Sequence, residues 1–180
     1  MVDFRPFGGL RYRPEAAGDL ASVLAPPFDV IDADEQAALH ERSPYNIVRL
    51  ELAQGADPYA RAAAQLDEWR RAGVLAQDGE PAFYVYGQEF EHEGKRHRRT
   101  GLLGRLRLEP WEHGSVRPHE ETMRAPKEDR LQLLRHVRAN VSPIFALYRD
   151  PAGRVARLLP RDERLEVDAT TPDGQRHELF

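Results

Sequence analysis

Cysteine is absent from this 180-residue chain, which excludes disulfide bonds, thiolate metal ligands and a cysteine nucleophile. Long apolar runs are absent as well, and no segment approaches the roughly 18 apolar residues that a membrane-spanning helix needs. Residues 1–6 lack the basic and then apolar pattern of a secretory signal peptide. We therefore expect a cytoplasmic globular protein that has no membrane partner.

Lysine is also scarce, because among 26 basic residues only Lys95 and Lys127 are lysines. A lysine in so arginine-rich a chain indicates a place where a compact ammonium group is used. The formal net charge is −4, with the acidic excess in residues 1–90 and a basic excess in residues 91–150. The basic segment favours an anionic ligand, whereas the acidic chain as a whole argues against nucleic acid.

Three segments carry the signals of amphipathic helices. Asp32 and Glu35 form a capping-box pattern at the start of a helix that should end near residue 42. Asp57 and Pro58 are typical of an N-cap and a first helical position, and an apolar stripe follows at helical spacing up to a terminating glycine. A third helix should begin at Pro126. Its apolar face should contain Leu131, Leu134 and Val137, and Arg138 follows them.

Period-two patterns predict the strands. Alternation over residues 47–52 predicts a strand, and residues 83–108 predict a hairpin around Glu93 and Gly94. Residues 142–148 are also β-type, and 165–170 should pair with 175–180. Because strict βαβ alternation is missing, we predict an α+β fold with a mixed, largely antiparallel sheet and two to three amphipathic helices. We expect an N-terminal α+β domain over residues 1–150, with 151–180 the start of a following, truncated β region.

Residues 117–130 hold the densest mixture of reactive side chains, in a polar loop that leads into a helix N-terminus. Such a terminus presents unpaired N–H groups and partial positive charge, which favour an anion. Lys127 and Arg130 are three residues apart and should therefore lie on one side of the helix. The candidate residues are His119 and Glu120 for proton transfer, and Thr122, Lys127, Asp129 and Arg130 for binding phosphate or another anion.

Three other interpretations concern this segment and the residues near it. The segment could be an ordinary charged helix start, in which Asp129 complements the helix dipole and Arg130 forms a surface ion pair. Basic residues over 95–107 could bind single-stranded nucleic acid, although alternating charges are typical of a solvated strand face. No pair of histidines with helical ligand spacing accompanies a glutamate, so we predict no metal site. The residues weighed for such a site are His113, His119, Glu120 and His136.

Seven short strings, spread in order over nearly the whole chain, resemble one known family. The strings lie at residues 25–30 (APPFDV), 43–46 (SPYN), 73–75 (GVL), 84–86 (YVY), 118–122 (PHEET), 127–130 (KEDR) and 142–145 (SPIF). Together they resemble the bacterial family catalogued as domain of unknown function 1015.

The resemblance implies a function as well as a family. Members are typically about twice this length, and their second half carries an Asp-Gly-His-His-Arg-Tyr type motif. That motif is similar to the phosphate-binding signature of the partition-protein/sulfiredoxin superfamily, which includes a free-serine kinase. The present chain stops before such a motif, since residues 173–177 (DGQRH) are predicted to form a hairpin turn.

The resemblance therefore implies that the intact protein is a nucleotide-dependent phosphotransferase, serine-kinase-like, or a hydrolase. ATP or ADP with Mg²⁺ would be the cofactor, and a small polar metabolite would be the partner. These 180 residues alone would then be inactive. The alternative is a non-catalytic regulatory module that binds an anion or metabolite through the same loop. Oligomeric state is not indicated by the sequence.

Overall fold

The computed structural model describes residues 2–118, 121, 123–159 and 165–180. Up to residue 71 the chain contains two short strands and five helices in its described part. They are β1 (Phe4–Arg5), β2 (Leu10–Tyr12), α1 (Pro14–Ala17), α2 (Leu20–Val23), α3 (Ala33–Arg42), α4 (Val48–Glu51) and α5 (Pro58–Arg71).

The two longest of these helices begin at the predicted caps. Asp32 Oδ1 accepts a 2.8 Å hydrogen bond from the Glu35 N–H, which satisfies one of the unpaired donors at the start of α3. Asp57 Oδ1 accepts one of 3.0 Å from the Ala60 N–H at the start of α5. Gly73 follows α5 with φ +73°, the left-handed conformation that glycine adopts at least cost. The capping predictions for both helices are confirmed.

The strand predicted over residues 47–52 is wrong, because this segment forms the short helix α4. The physical reason is Asn46, whose side chain is fully buried. Its amide nitrogen donates to the carbonyls of Ser22 and Leu24, at 2.8 Å each, and its amide oxygen accepts from the Val48 N–H. These long-range hydrogen bonds fix the chain at the helix start, and they override the local alternation.

The strands that follow are β3 (Leu75–Gln77), β4 (Tyr84–His92), β5 (Lys95–Leu103), β6 (Arg105–Leu106), β7 (Val167–Thr170) and β8 (Arg176–Leu179). Within the described residues, all strands are joined in antiparallel pairs. β1 pairs with β6 and β2 with β3, while the largest sheet has the order β5-β4-β8-β7. The α+β class with a largely antiparallel sheet is therefore confirmed.

Both predicted hairpins are present in the largest sheet. Glu93 and Gly94 connect β4 to β5 with φ values of +52° and +70°, as a two-residue hairpin turn requires. β7 and β8 form the second hairpin, and β8 also pairs with β4, so that Tyr86 lies opposite Leu179. The last strands thus belong to the same sheet as the middle of the chain. The division into residues 1–150 and 151–180 stays a prediction.

The main core lies between α5, α6 (Arg124–Val137) and the short elements near the N-terminus. Trp69 of α5 is 1% exposed, and Tyr12 and Tyr45 pack against its ring with centroid distances of 6.1 Å. α6 begins two residues before the predicted Pro126 and buries Leu133 and Val137. Leu131 and Leu134, predicted to face the core, are 38% and 42% exposed.

The predicted strand over residues 142–148 is not formed, since this described segment has no regular secondary structure. Ile144 and Leu147 are 94% and 88% exposed. Ser142 instead donates its hydroxyl hydrogen to the carboxylate of Glu51, which ties the start of the segment to α4. No helix in the part of the chain that the structure describes is long and apolar enough to cross a membrane.

Candidate functional site

The predicted site residues divide into three groups by position. His119, Glu120 and Thr122 lie outside the described residues. Lys127 is exposed on α6, whereas Asp129 and Arg130 are partly buried on the same helix. The structure thus brings Asp129 and Arg130 together, and it leaves the Lys127 side chain at the surface.

Three contacts fix the guanidinium group of Arg130. Its Nε donates to Asp129 Oδ2 at 2.8 Å, and its Nη2 donates to the backbone carbonyl of Glu51 at 2.9 Å. The guanidinium carbon lies 4.1 Å from the ring centroid of Phe28, a cation–π contact with one face of the group. Nη1 is buried and makes no hydrogen bond to a described residue. These contacts fix the orientation of the Arg130 side chain, and they leave its Nη1 group without a partner among the described residues.

Asp129 also binds Tyr59 of α5. The Tyr59 hydroxyl donates to Asp129 Oδ1 at 2.8 Å, so the two carboxylate oxygens receive hydrogen bonds from different helical positions. This hydrogen bond to a carboxylate, helped by burial, raises the pKa of the Tyr59 phenol above its ordinary value. The Tyr59 ring stacks on His136 with a centroid distance of 5.5 Å. Asp129 thus connects α5 to the arginine that it orients.

Glu51 is the buried carboxylate of this region, with 7% of its surface exposed. Burial raises its pKa, while the hydrogen bond from Ser142 and the positive charge of Arg130 oppose that shift. Sequence reasoning missed Glu51, because it lay in a segment that was predicted to be a strand. The one signal for it was a carboxylate within the apolar run of residues 47–52. Tyr59 and Ser142 carried no signal of this kind.

We call Phe28, Glu51, Tyr59, Asp129 and Arg130 the Arg130 cluster. Its cation is partly neutralised by Asp129, which holds one edge of the guanidinium group. The remaining Nη1 edge can donate a charge-assisted hydrogen bond to a phosphate or carboxylate oxygen. Within the described residues, no three His, Asp or Glu side chains are grouped so as to hold a metal ion.

A second set of ion pairs lies on one face of the β5-β4-β8-β7 sheet. Glu178 is 4% exposed and lies 2.5 Å from Arg98 Nη2 and 3.1 Å from Arg176 Nη2. Gly87 makes room for this pairing, because a Cβ atom there would lie 2.9 Å from Glu178 Oε2. Arg98 also contacts Glu89, so this arginine of the basic strand is already paired with carboxylates.

Fold and site together define an α+β protein with antiparallel sheets and a carboxylate-oriented arginine at the junction of α4, α5 and α6. The family model described as "Protein of unknown function (DUF1015)" matches residues 4–180, so the chain belongs to this family. No curated protein and no solved structure matches the chain at a significant level.

Proposed function

We propose that this chain forms part of a bacterial cytoplasmic phosphotransferase, serine-kinase-like, or of a hydrolase, that uses ATP or ADP with Mg²⁺. A small polar metabolite would be its substrate. In this proposal the Arg130 cluster contributes a phosphate contact. The observation that carries the proposal is the fixed guanidinium group of Arg130, which has one N–H edge without a partner among the described residues.

An arginine held in this way is suited to phosphate for an entropic reason. Free arginine side chains lose rotamer freedom when they bind, whereas Arg130 is already held by Asp129, the Glu51 carbonyl and Phe28. The planar guanidinium group matches the geometry of phosphate oxygens better than an ammonium group does. A ligand oxygen that reaches the buried Nη1 would therefore gain a directed, charge-assisted contact without the cost of ordering the arginine side chain.

Lys127 supports the same proposal from the surface. It lies three residues before Arg130, and residues at this spacing are neighbours on a helix. Its flexible, exposed side chain can approach a phosphate from the solvent side, while Arg130 contacts it from within. We assign His119 and Glu120 to proton transfer, and Thr122 to a phosphate contact, as the rest of this proposal.

Binding measurements test the phosphate contact directly. We expect ATP, ADP or inorganic phosphate, each with Mg²⁺, to bind the wild-type chain in isothermal titration calorimetry. Arg130→Lys should weaken that binding by about tenfold or more, because a lysine cannot provide the oriented fork. Arg135→Ala, an exposed arginine later on α6, is the matched control and should leave binding unchanged. Equal affinities for both variants, with both folded by circular dichroism, would remove the assigned role.

The second candidate is a non-catalytic module that binds an anionic metabolite. It is favoured by Asp129 and Glu51, because two carboxylates beside Arg130 reduce the net positive charge that a polyphosphate would meet. Turnover distinguishes the two functions. The protein is incubated with serine and ATP or ADP, and phosphoserine is measured. Binding without product for a panel of small hydroxylated metabolites would support the module.

A further inference from the structure

A second site lies away from the Arg130 cluster, in a cavity of about 340 Å³ between the N-terminus and the segment after β6. This volume is at the lower end of the range for small-molecule pockets. The lining combines both signs of charge with apolar side chains. It includes the acidic residues Asp3 and Glu109, the basic residues Arg107 and His113, and the apolar residues Val2 and Val116.

Local backbone structure explains why these residues surround one space. The Arg107 N–H donates to the Asp3 carbonyl at 3.0 Å, which continues the β1–β6 pairing past the end of both strands. A short 3₁₀ helix then forms at Trp111–His113, and Gly114 ends it with φ +67°. The chain turns back at this point, so that His113 lines the cavity together with the N-terminal residues.

The two carboxylates of the cavity differ in their partners. Asp3 accepts hydrogen bonds from Nε and Nη2 of Arg5, at 2.6 and 2.9 Å. Glu109 has a buried oxygen, Oε1, that makes no hydrogen bond to a described residue. Because buried polar atoms are nearly always paired, such an oxygen calls for a donor. Glu109 lines the cavity and forms no ion pair with a described residue, so it is the cavity carboxylate whose charge a ligand's N–H groups can compensate.

We propose that this cavity binds a small aliphatic zwitterion. Its ammonium group donates to Glu109, and its carboxylate faces Arg107 across the cavity. The apolar side chains of Val2 and Val116 cover the carbon chain between the two charges. Each charged end of a zwitterion meets an opposite charge in the cavity. A simple amine would pair only with Glu109, and a simple acid would pair only with Arg107. The proposal does not depend on phosphotransfer, and no residue of the Arg130 cluster takes part in it.

The test uses probes that separate the two charges. Glycine, β-alanine and γ-aminobutyrate are zwitterions of increasing charge separation, and propylamine and propionate each carry one charge only. Binding to the intact chain is followed by chemical-shift titration in nuclear magnetic resonance. We expect saturable binding of at least one zwitterion, and binding about tenfold or more weaker for propylamine and propionate.

Three variants locate the site. Glu109→Gln keeps the shape but removes the charge, and it should weaken zwitterion binding about tenfold or more. Glu112→Gln, an exposed carboxylate in the 3₁₀ helix outside the cavity lining, is the control and should change nothing. Arg107→Met should weaken the zwitterion and leave propylamine unaffected. The proposal is overturned if no zwitterion binds the wild type, or if Glu109→Gln and Glu112→Gln bind equally well. Nucleotide titrations of the same samples report on the Arg130 cluster separately.

Discussion

Two regions of this protein place a carboxylate near an arginine, but the pKa of the carboxylate is lowered in one region and raised in the other. At the junction of β2, β3 and β4, Asp78 accepts hydrogen bonds from Arg11, the shortest at 2.8 Å, and one from the Tyr84 hydroxyl. These donors, Arg11 first, lower the pKa of Asp78. In the Arg130 cluster, burial raises the pKa of Glu51 instead.

The difference lies in where the arginine directs its N–H groups. Arg11 donates from Nε and Nη2 to the side chain of Asp78 and from Nη1 to Glu166, so the charge of the Asp78 carboxylate is compensated directly. Arg130 gives Nη2 to the backbone carbonyl of Glu51, and the carboxylate of Glu51 receives a hydroxyl hydrogen bond from Ser142. A compensated carboxylate stabilises the fold, whereas an incompletely compensated buried one is typical of functional sites.

The largest expected effect comes from overpacking the first region, around Tyr84 and Asp78. A Cβ atom at Gly9 would lie 2.7 Å from the Tyr84 hydroxyl oxygen, and Tyr84 is buried and held by its hydrogen bond to Asp78. Gly9→Ala should therefore lower the free energy of unfolding by about 2–3 kcal/mol. Gly79→Ala is the control, because nothing lies within 4 Å of its added Cβ atom. Urea unfolding measures both. Similar stabilities for the two variants would show that the Tyr84 position is not constrained.

Removing the charge of Asp78 tests how much its pairing with Arg11 stabilises the fold. Asp78→Asn should lower the free energy of unfolding by about 2 kcal/mol at neutral pH, since a charge-assisted pair with a partly buried arginine is lost. The native pKa of Asp78 is lowered, so its contribution is present above the ordinary value of 3.8 and is lost as the pH falls. The gap between wild type and variant should therefore close in acid. A constant gap, or the same gap for the exposed control Asp67→Asn, would contradict this.

The opposite sign is expected for Glu51. Its pKa is raised in the native state, so the stabilising protonated form is fully present below 4.5 and is lost as the pH rises. Glu51→Gln should consequently be more stable than the wild type near neutrality, by on the order of 1 kcal/mol, and should lose that advantage below pH 4.5. Urea unfolding at several pH values measures the difference. The control is Glu41→Gln on the exposed face of α3. A Glu51→Gln variant that is less stable than the wild type at neutral pH would contradict a raised pKa for Glu51.

The smallest expected effect concerns the hydrogen bond between Tyr59 and Asp129 in the Arg130 cluster. Tyr59→Phe removes the hydrogen bond to Asp129 and should cost about 0.5–1 kcal/mol of unfolding free energy. An ultraviolet pH titration should also lose one phenol that titrates above the ordinary value of 10.0. Tyr148→Phe, at an exposed tyrosine, is the control and should leave the free energy of unfolding unchanged. Equal stabilities for the two variants would show that Asp129 does not bind Tyr59 in solution.

Sequence patterns predicted the fold best where the signal and its partner are close along the chain. Asp32, Asp57 and the Glu93–Gly94 turn act over two to three residues, and each does so in the structure. The strand predicted at 47–52 failed because buried Asn46 bonds to Ser22 and Leu24, more than twenty residues earlier. A period-two pattern contains no information about such a distant partner.

The candidate site shows the same limit. Asp129 and Arg130 could be selected from the charged helix start, but the direction of the Arg130 side chain could not. It depends on Phe28 and Glu51, which lie about a hundred and about eighty residues away along the chain. Lys127 stays exposed because no such partner draws it inward in the described structure. The position of a residue on a helix face could be predicted from the sequence, whereas its contacts with residues far away in the chain could not.

By itself, the sequence determined the starts of α3 and α5 and the two hairpin turns, because these follow from contacts between near neighbours in the chain. It also determined the α+β class, because its helix and strand patterns are mixed without βαβ alternation. Only the tertiary structure decided that Glu51 would be buried, that Asp129 would orient Arg130, and that Glu109 would line a cavity with the N-terminus. The reason is physical: burial and charge compensation depend on which distant segments meet, and those meetings shift pKa values and fix side chains.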